Sequence, residues 1–377
     1  MDFSLTEEQT EVQNLARKIL EDLSTHDRLN QIESSDEGID RELWAELARS
    51  NLLGVCLPES FGGSNLGFFT LCVLLEEVGR VVAAIPAIPT LVLGALPVSR
   101  FGSEEQKRRL LAGVAQGETL LTGALHEAGS EEPARPTTTA ARDGDRWRLD
   151  GVKICVPAAH VADRILVPAS SDDGGVALFL LDPTTEGVRL TPQQTTNRER
   201  HSQLELSGAS VAETDVLVGP EQGAEAVAWL TNRATVAHCA LQLGVSDKAL
   251  HMTADYSKTR EQFDRPIGSF QAVHTRAADA FIDVEAMRLT TWLAAWRLGE
   301  ELPATEEVAV AKYWAAEGGQ FVGYAAQHLH GGIGIDVDYP LHRYYLWAKQ
   351  NELVFGSAAV QIARLGAQMA EAPIGRD

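Results

Sequence analysis

The sequence predicts an α+β chain in three parts: an N-terminal helical domain over residues 1–117, a middle β-domain over 118–220 and a C-terminal four-helix bundle over 221–377. Three observations carry that prediction. Apolar residues recur at helical spacing up to about Gly117. They then alternate with period two, between turn signals, from about Glu118 to Gly219. Helical spacing returns from about Glu221, now in long uninterrupted segments.

In the first part, Val12, Leu15, Ala16, Ile19 and Leu20 fall on one helical stripe. Leu43, Trp44, Leu47 and Ala48 make a second, and Leu71, Leu74, Leu75 and Val78 a third. Leu57-Pro58-Glu59-Ser60-Phe61-Gly62-Gly63 and Phe101-Gly102-Ser103 break these helices. The stretch Val81 to Val98 is nearly all apolar and long enough to cross a bilayer. Pro86, Pro89 and Pro97 would break a spanning helix, so buried core is expected there.

In the second part, Arg146 to Asp150 alternate after an Asp143-Gly144 turn. Val176 to Leu181 reads as a short buried strand, and Ser202 to Leu206 alternate again. The third part holds helices over about Ala224–Lys258, Phe270–Leu298 and Glu306–Leu329. Long helices on short connections argue for an antiparallel bundle.

The formal charge of -21 argues against nucleic-acid or membrane-surface binding, because such a surface repels phosphate backbones and anionic lipid. An anionic ligand then needs a local cluster of cations. The opening residues lack a basic segment followed by an apolar one, which argues against a signal peptide. Cys56, Cys72, Cys155 and Cys239 lie among apolar residues without metal-type spacing, so reduced core thiols in a cytoplasmic protein are expected.

Two places in the bundle hold unusual chemistry. The segment Lys258 to Gly268 gathers Lys258, Arg260 and Arg265, and Pro266 and Gly268 are expected to end the preceding helix. Arginine presents a planar fork that suits two phosphate oxygens, although a solvated helix end with ion pairs is the plainer reading. The segment Gln327-His328-Leu329-His330-Gly331-Gly332-Ile333-Gly334 sets glycines at a helix end, where another backbone or a ligand can approach closely. It lacks the GxGxxG spacing of a dinucleotide fingerprint. A metal site is not expected from two histidines with no third ligand nearby.

Taken together these segments resemble the acyl-CoA dehydrogenase family, over essentially the whole chain. Phe3-Ser4-Leu5-Thr6-Glu7-Glu8-Gln9 resembles the family's start, and Leu57 to Gly63 its P-E-x-x-G-G loop. Arg260-Glu261-Gln262-Phe263, with Ile267-Gly268 and Gln271, is similar to its R-x-x-F-G…Q segment, and His330 to Gly334 to its H-G-G-x-G turn. The resemblance implies the family's α–β–α architecture and an FAD held between subunits. One subunit's β-domain would hold the isoalloxazine ring, and the neighbour's bundle would grip the pyrophosphate and adenine end. Arg260, Phe263, Gln271, Gly331 and Gly332 match that lent half-site. His328 stands where the family usually has Gln.

Desaturating an acyl thioester needs a base for the α-proton while hydride leaves the β-carbon for the flavin. The family's glutamate precedes either a Gly-Thr or Gly-Ser pair near the end, or an Arg in the bundle's first helix. Phe355 precedes Gly356-Ser357 here, and Asn232 precedes Arg233. Neither accepts a proton near neutral pH. Glu352 is one turn earlier, about 4.5 Å along a helix axis from the family position. The ring half-site is altered too. The family's T-E-P-x-A-G-S-D loop is shortened to His126-Glu127-Ala128-Gly129-Ser130-Glu131, and its G-x-K-x-W-I-T-N strand reads Gly151 to Ala158. Cys155 replaces the ring-covering Trp, and Pro157, which has no N–H, replaces the ring-bonding Thr.

The expected function is therefore a partner subunit without its own catalytic base. It would pair with a related dehydrogenase subunit that carries the glutamate, in an α2β2 assembly that lends FAD contacts across the interface. The chain is most similar to base-less subunits of actinobacterial dehydrogenases acting on steroid side-chain CoA thioesters, through Arg260 to Val273 and Asp336 to Tyr345. Acyl-CoA as substrate and an electron-transfer flavoprotein as acceptor follow from the resemblance. Two alternatives stay open: a homotetrameric flavoenzyme with a non-standard base or chemistry, favoured by one FAD per chain, and a flavin-free interaction protein, favoured by no flavin even with a partner present.

Overall fold

The computed structural model describes residues 3–130, 132–172 and 174–371 and divides into two compact units. One comprises residues 21–71 and 84–234, the other residues 1–20, 72–83 and 235–377. In chain order the first helices are α1 (Glu7–Leu23), α2 (His26–Glu33), α3 (Arg41–Arg49) and α4 (Gly67–Arg80). After a π-helical stretch over Ile88–Ala95 come α5 (Leu96–Phe101) and α6 (Glu104–Ala115). The strands are β1 (Leu121–Gly123), β2 (Thr139–Asp143), β3 (Arg146–Pro157), β4 (Arg164–Ser171), β5 (Val176–Leu181), β6 (Val188–Gln194), β7 (Arg200–Ala212) and β8 (Val216–Val218).

Local chemistry sets the starts of these helices. Asp40 caps α3 by accepting from the Leu43 N–H at 3.1 Å, and the Arg28 fork holds its carboxylate at 2.7 and 2.8 Å. Ser103 and Gln106 form a reciprocal capping box at the start of α6. The Gln106 amide also reaches the Thr214 and Val216 carbonyls, both at 2.9 Å, and so ties α6 to the end of the sheet. The Val81–Val98 stretch is buried core, as expected, but its prolines leave a π-helix and the short α5 instead of one long helix.

The main sheet runs in the order β6-β7-β3-β2-β4-β5-β8, with β1 beside β4. The β2–β3 hairpin closes through Gly144 and Asp145, and Gly144 holds φ at 66° where a side chain would be strained. Trp147 meets Phe179 edge-on at 5.5 Å inside a core that includes Leu149, Val167, Leu181 and Leu204. The β3–β7 ladder slips between Lys153 and Val156, a bulge that centres on Cys155.

The C-terminal bundle follows: α7 (Gly223–Thr259), the small hairpin β9 (Glu261–Gln262) and β10 (Arg265–Pro266), then α8 (Gln271–Gly299), α9 (Thr305–His330), α10 (Leu341–Leu353) and α11 (Ala358–Glu371). At 37 residues α7 is about 55 Å long. It crosses α4 at glycines. A Cβ at Gly244 would lie 1.9 Å from the Glu76 carbonyl oxygen, and one at Gly79 would lie 2.0 Å from that of Leu241. A buried ion network pins the same crossing: Arg288 meets Glu76 at 2.6 Å and Asp247 at 3.1 Å, and Arg80 also meets Asp247. Cys72 and Cys239 are buried as expected. Cys56 and Cys155 are only half-buried, because the first lies in a loop and the second in the bulge of β3.

Candidate functional site

The sequence expects Pro266 and Gly268 to end the long helix. The structure ends it at Thr259, one residue past the Lys258 expected for that helical segment, and the chain turns straight into the β9–β10 hairpin, which carries Pro266. Phe263 and Asp264 form its two-residue loop, at φ 56° and 59°, the paired positive values that a tight hairpin of this kind needs. The loop pushes Phe263 outward, where it is 87% exposed. Lys258 pairs with Asp255 at 3.0 Å and Arg265 lies 4.1 Å over the Phe270 ring. Arg260 is exposed and makes no ion pair among the described residues. Gln271 opens α8 at the surface. The cap residue Phe270 offers no side-chain acceptor to the first amides, an arrangement that suits an anion.

The second motif meets the first through a stack. Tyr256, one turn before Arg260, lies over His330 with ring centres 4.3 Å apart and planes 20° apart. His330 bonds the Ala326 carbonyl through Nδ1 at 2.9 Å. A carbonyl only accepts, so Nδ1 carries the proton and Nε2 accepts from the Tyr339 hydroxyl at 3.2 Å. Burial lowers the pKa of His330 and keeps it neutral. The residue is thus a pillar of the turn. Gly331 follows at φ 63° and ψ −141°, a combination open to glycine alone. A Cβ at Gly331 or Gly332 would touch nothing within 4 Å, so both glycines present an open backbone face. His328 is exposed on the last turn of α9.

The base positions look different. α10 ends at Leu353, and Phe355 lies past it at φ 59°, so Glu352 and Phe355 do not share a helix as the one-turn estimate assumes. Phe355 is buried. Its ring centre is 5.6 Å from that of His238, and its carbonyl accepts from Gln361 at 2.9 Å. Glu352 pairs with Lys349 at 2.7 Å and lines a separate cleft with Tyr324 and Tyr345. The neighbouring turn is held by Lys312, whose buried ammonium donates to the Asn351 carbonyl at 2.5 Å and the Glu352 carbonyl at 3.2 Å. Burial pulls its pKa down to about 8, against partial compensation from Cys239 and Glu352. Asn232 is half-buried on α7, beside Arg233, whose guanidinium stacks 3.8 Å over Trp229.

In the other unit, the two altered loops are joined. Glu127 is buried and accepts five hydrogen bonds: from the Lys153 ammonium at 2.7 Å, and from the N–H and hydroxyl of both Thr137 and Thr138 at 2.6–2.9 Å. Burial opposes its charge, but these donors outweigh burial and hold its pKa near about 2. Along β3 the Ile154 N–H is taken by the His126 carbonyl at 2.9 Å, and the Cys155 N–H by Gln193 Oε1 at 2.8 Å. Cys155 sits at φ 51°, and its carbonyl accepts from His201 Nδ1 at 3.0 Å. Burial first, then Coulombic repulsion from the His201 and Lys153 side chains, press His126 down to about 4, so it is uncharged at neutral pH. Pro157 and His201 line a cleft of about 350 Å3 with Ile85, Pro86 and Pro89. Glu131 of the shortened loop lies outside the described residues. The N–H groups of Ile154 and Cys155 near the end of β3 are thus already engaged within the chain, whereas Arg260, Phe263, Gly331 and Gly332 are exposed, an arginine fork, a free ring and an open backbone that fit the phosphates and adenine of an FAD.

Sequence alone did not point to Tyr256, to the bond between Tyr339 and His330, or to the Glu127–Lys153 pair. Tyr256 lies one helical turn before Arg260, a spacing that was available. The Glu127–Lys153 pair spans 26 residues, and nothing in local spacing announces it.

Comparison with known proteins agrees with this geometry. Residues 6–118 match the acyl-CoA dehydrogenase N-terminal domain and residues 221–370 its C-terminal domain. Acyl-CoA dehydrogenase FadE27 of Mycobacterium tuberculosis is 40% identical, covering 99% of this chain and 100% of its own length. A structure described as the ChsE4–ChsE5 complex of the same organism superimposes at TM-score 0.93 with 40% identity, covering 99% of this chain and 100% of that one. A structure described as the Tcur3481–Tcur3483 steroid acyl-CoA dehydrogenase gives 0.90 with 47% identity, over 97% and 98%. The fold, the motif positions and these matches together establish that the chain belongs to the acyl-CoA dehydrogenase family, whose members are FAD-dependent.

Proposed function

We propose that this chain is the base-less partner subunit of an α2β2 acyl-CoA dehydrogenase, organised as domains 1–117, 118–220 and 221–377. One observation carries the reading: both family base positions hold residues that cannot take a proton, Phe355 and Asn232, while Arg260, Phe263 and the glycine turn of the outward half-site match the family. A related subunit would supply the catalytic glutamate, the ring site and the acyl-CoA. The similarity to a ChsE4–ChsE5 complex and to a steroid enzyme supports a heteromer and a steroid side-chain thioester as substrate. An electron-transfer flavoprotein in the cytoplasm would take the electrons.

FAD, when bound, accepts the hydride that leaves the β-carbon as the partner's glutamate takes the α-proton. This chain's residues hold the distant end of that cofactor. Arg260, which makes no ion pair among the described residues, would hold pyrophosphate oxygens through its fork. The uncapped start of α8 at Gln271 adds amide donors and the positive end of a helix dipole. Phe263 offers an exposed ring to the adenine side. Gly331 and Gly332 let the cofactor lie against backbone, with His328 beside them as a further polar contact.

Arg260→Ala tests the assignment. A charge-assisted hydrogen bond contributes about 1.5–3 kcal/mol, so FAD bound to the heteromer should weaken about 10- to 150-fold, with the subunits still paired. Unchanged FAD affinity in an intact heteromer contradicts the assignment.

A further inference from the structure

The unit that comprises residues 21–71 and 84–234 holds a cleft that the lent FAD contacts and the base positions leave unused. Its apolar wall is Ile39, Ile85, Pro86, Pro89 and Pro157. Three prolines fix the backbone of that wall, so the cleft keeps its shape without a ligand. The rest of the lining is polar: Glu37, His160, Glu199, Arg200 and His201. At about 350 Å3 the cleft falls at the small end of ligand-sized sites.

His201 gives the cleft its chemistry. It stands opposite Pro157 in the β3–β7 ladder, next to the bulge. The bulge leaves Cys155 out of the ladder, and the Cys155 carbonyl accepts from His201 Nδ1 at 3.0 Å instead. A carbonyl only accepts, so Nδ1 carries the proton and Nε2 of the neutral ring is a bare acceptor. His201 is 9% exposed, and Nε2 is buried without a hydrogen-bond partner among the described residues. Glu199 Oε2 is 3.8 Å away, beyond a hydrogen bond, and is itself an acceptor that takes the Asn197 amide at 2.7 Å. An unmet buried acceptor is costly, so Nε2 needs a donor from outside the chain.

The charged groups around the cleft already have partners. Glu37 pairs with Arg41 at 2.7 Å, Arg200 donates to the Ser35 carbonyl, and His160 Nε2 meets the Glu37 carbonyl at 2.8 Å. The neighbouring Lys153 is paired with Glu127, and His126 is uncharged at neutral pH. The carboxylates of Glu37 and Glu199 are matched by the guanidiniums of Arg41 and Arg200, so no net charge selects an ion. The site suits an uncharged ligand, apolar over most of its surface and with one donor.

We propose that this cleft binds a small uncharged ring that carries one hydroxyl, a single-ring alcohol or phenol, with the hydroxyl donating to His201 Nε2 and the ring against the proline wall. The proposal is independent of the partner-subunit reading, because no residue of the cleft belongs to the lent half-site.

The test uses the full chain with isotope-labelled histidines, read by nuclear magnetic resonance. His201→Phe assigns the His201 ring signals by their loss. Phenol and toluene are the probes, since toluene has the shape of phenol without its hydroxyl. Phenol should move the Nε2 signal saturably at about millimolar concentration, with Nδ1 still protonated. Toluene should bind about tenfold more weakly, because it leaves the buried acceptor unmet. Ile39→Trp narrows the cleft and leaves His201 in place, so it should abolish the phenol shift and keep the tautomer. A phenol shift that does not saturate or that survives Ile39→Trp overturns the proposal, and so does toluene binding as tightly as phenol; water is then the partner of Nε2. A ring protonated on both nitrogens in the free chain at neutral pH also overturns it, because Nε2 would then donate to Glu199.

Discussion

Lys153→Met perturbs the joint between the two altered loops of the β-domain. In the wild type, Lys153 is fully buried and its ammonium is 2.7 Å from Glu127, itself 6% exposed. Removing one member of a buried pair costs about 3–5 kcal/mol, because the other charge is left without its counter-ion. Four of the five donors to Glu127 come from Thr137 and Thr138 and survive the change. The loss should therefore fall at the lower end, about 3 kcal/mol at pH 7. Urea unfolding followed by the fluorescence of Trp147, which sits on β3, reads it. Adding Glu127→Gln to Lys153→Met removes the stranded charge and should recover part of the loss. A single-variant loss below about 1 kcal/mol, or a double variant less stable than the single, refutes the reasoning. The pair also fixes a pH dependence. Glu127 titrates near about 2 in the fold against an ordinary value of 4.5, so its contribution is complete above pH 4.5 and is lost as pH falls towards 2.

Lys312 predicts a slope of the same sign in an alkaline window. Its pKa of about 8 in the fold lies below its ordinary 10.5, so between those values the unfolded chain binds more protons and stability rises with pH by up to about 3 kcal/mol. Lys312→Met should flatten that rise in denaturation series; an unchanged slope assigns it to other groups. Phe355→Glu, which restores the family residue at one base position, should give no flavin bleaching by acyl-CoA in the chain alone. Steady turnover by that variant alone favours the independent-enzyme alternative.

The three-part order was legible because burial imposes its period on the sequence: the strand Val176–Leu181 is found at those bounds, and α8 and α9 within a residue or two. Ends set by tertiary contact were less legible. The end of α7 was expected within a residue, but the hairpin after it was not, because its loop depends on Phe263 and Asp264 both adopting positive φ, which neither residue type announces. The same holds for Phe355, whose break from α10 is fixed partly by Lys312, 43 residues earlier in the chain. Of the candidate site, Arg260, Phe263, Gln271, His328, Gly331 and Gly332 were named from motif likeness. The Tyr256–His330 stack that joins their two segments is a packing fact with no short-range signature. The blocked donors of β3 were equally invisible, since backbone hydrogen bonds leave no mark in residue types.

The central claim is that this chain lends to a flavin it does not itself hold. Flavin content measured together with native mass, for the chain alone and for its heteromer with the related subunit, tests it most directly. The chain alone should be colourless, and the tetramer should carry about one FAD per pair of unlike subunits. One FAD bound per copy of this chain, in the absence of any other subunit, contradicts it.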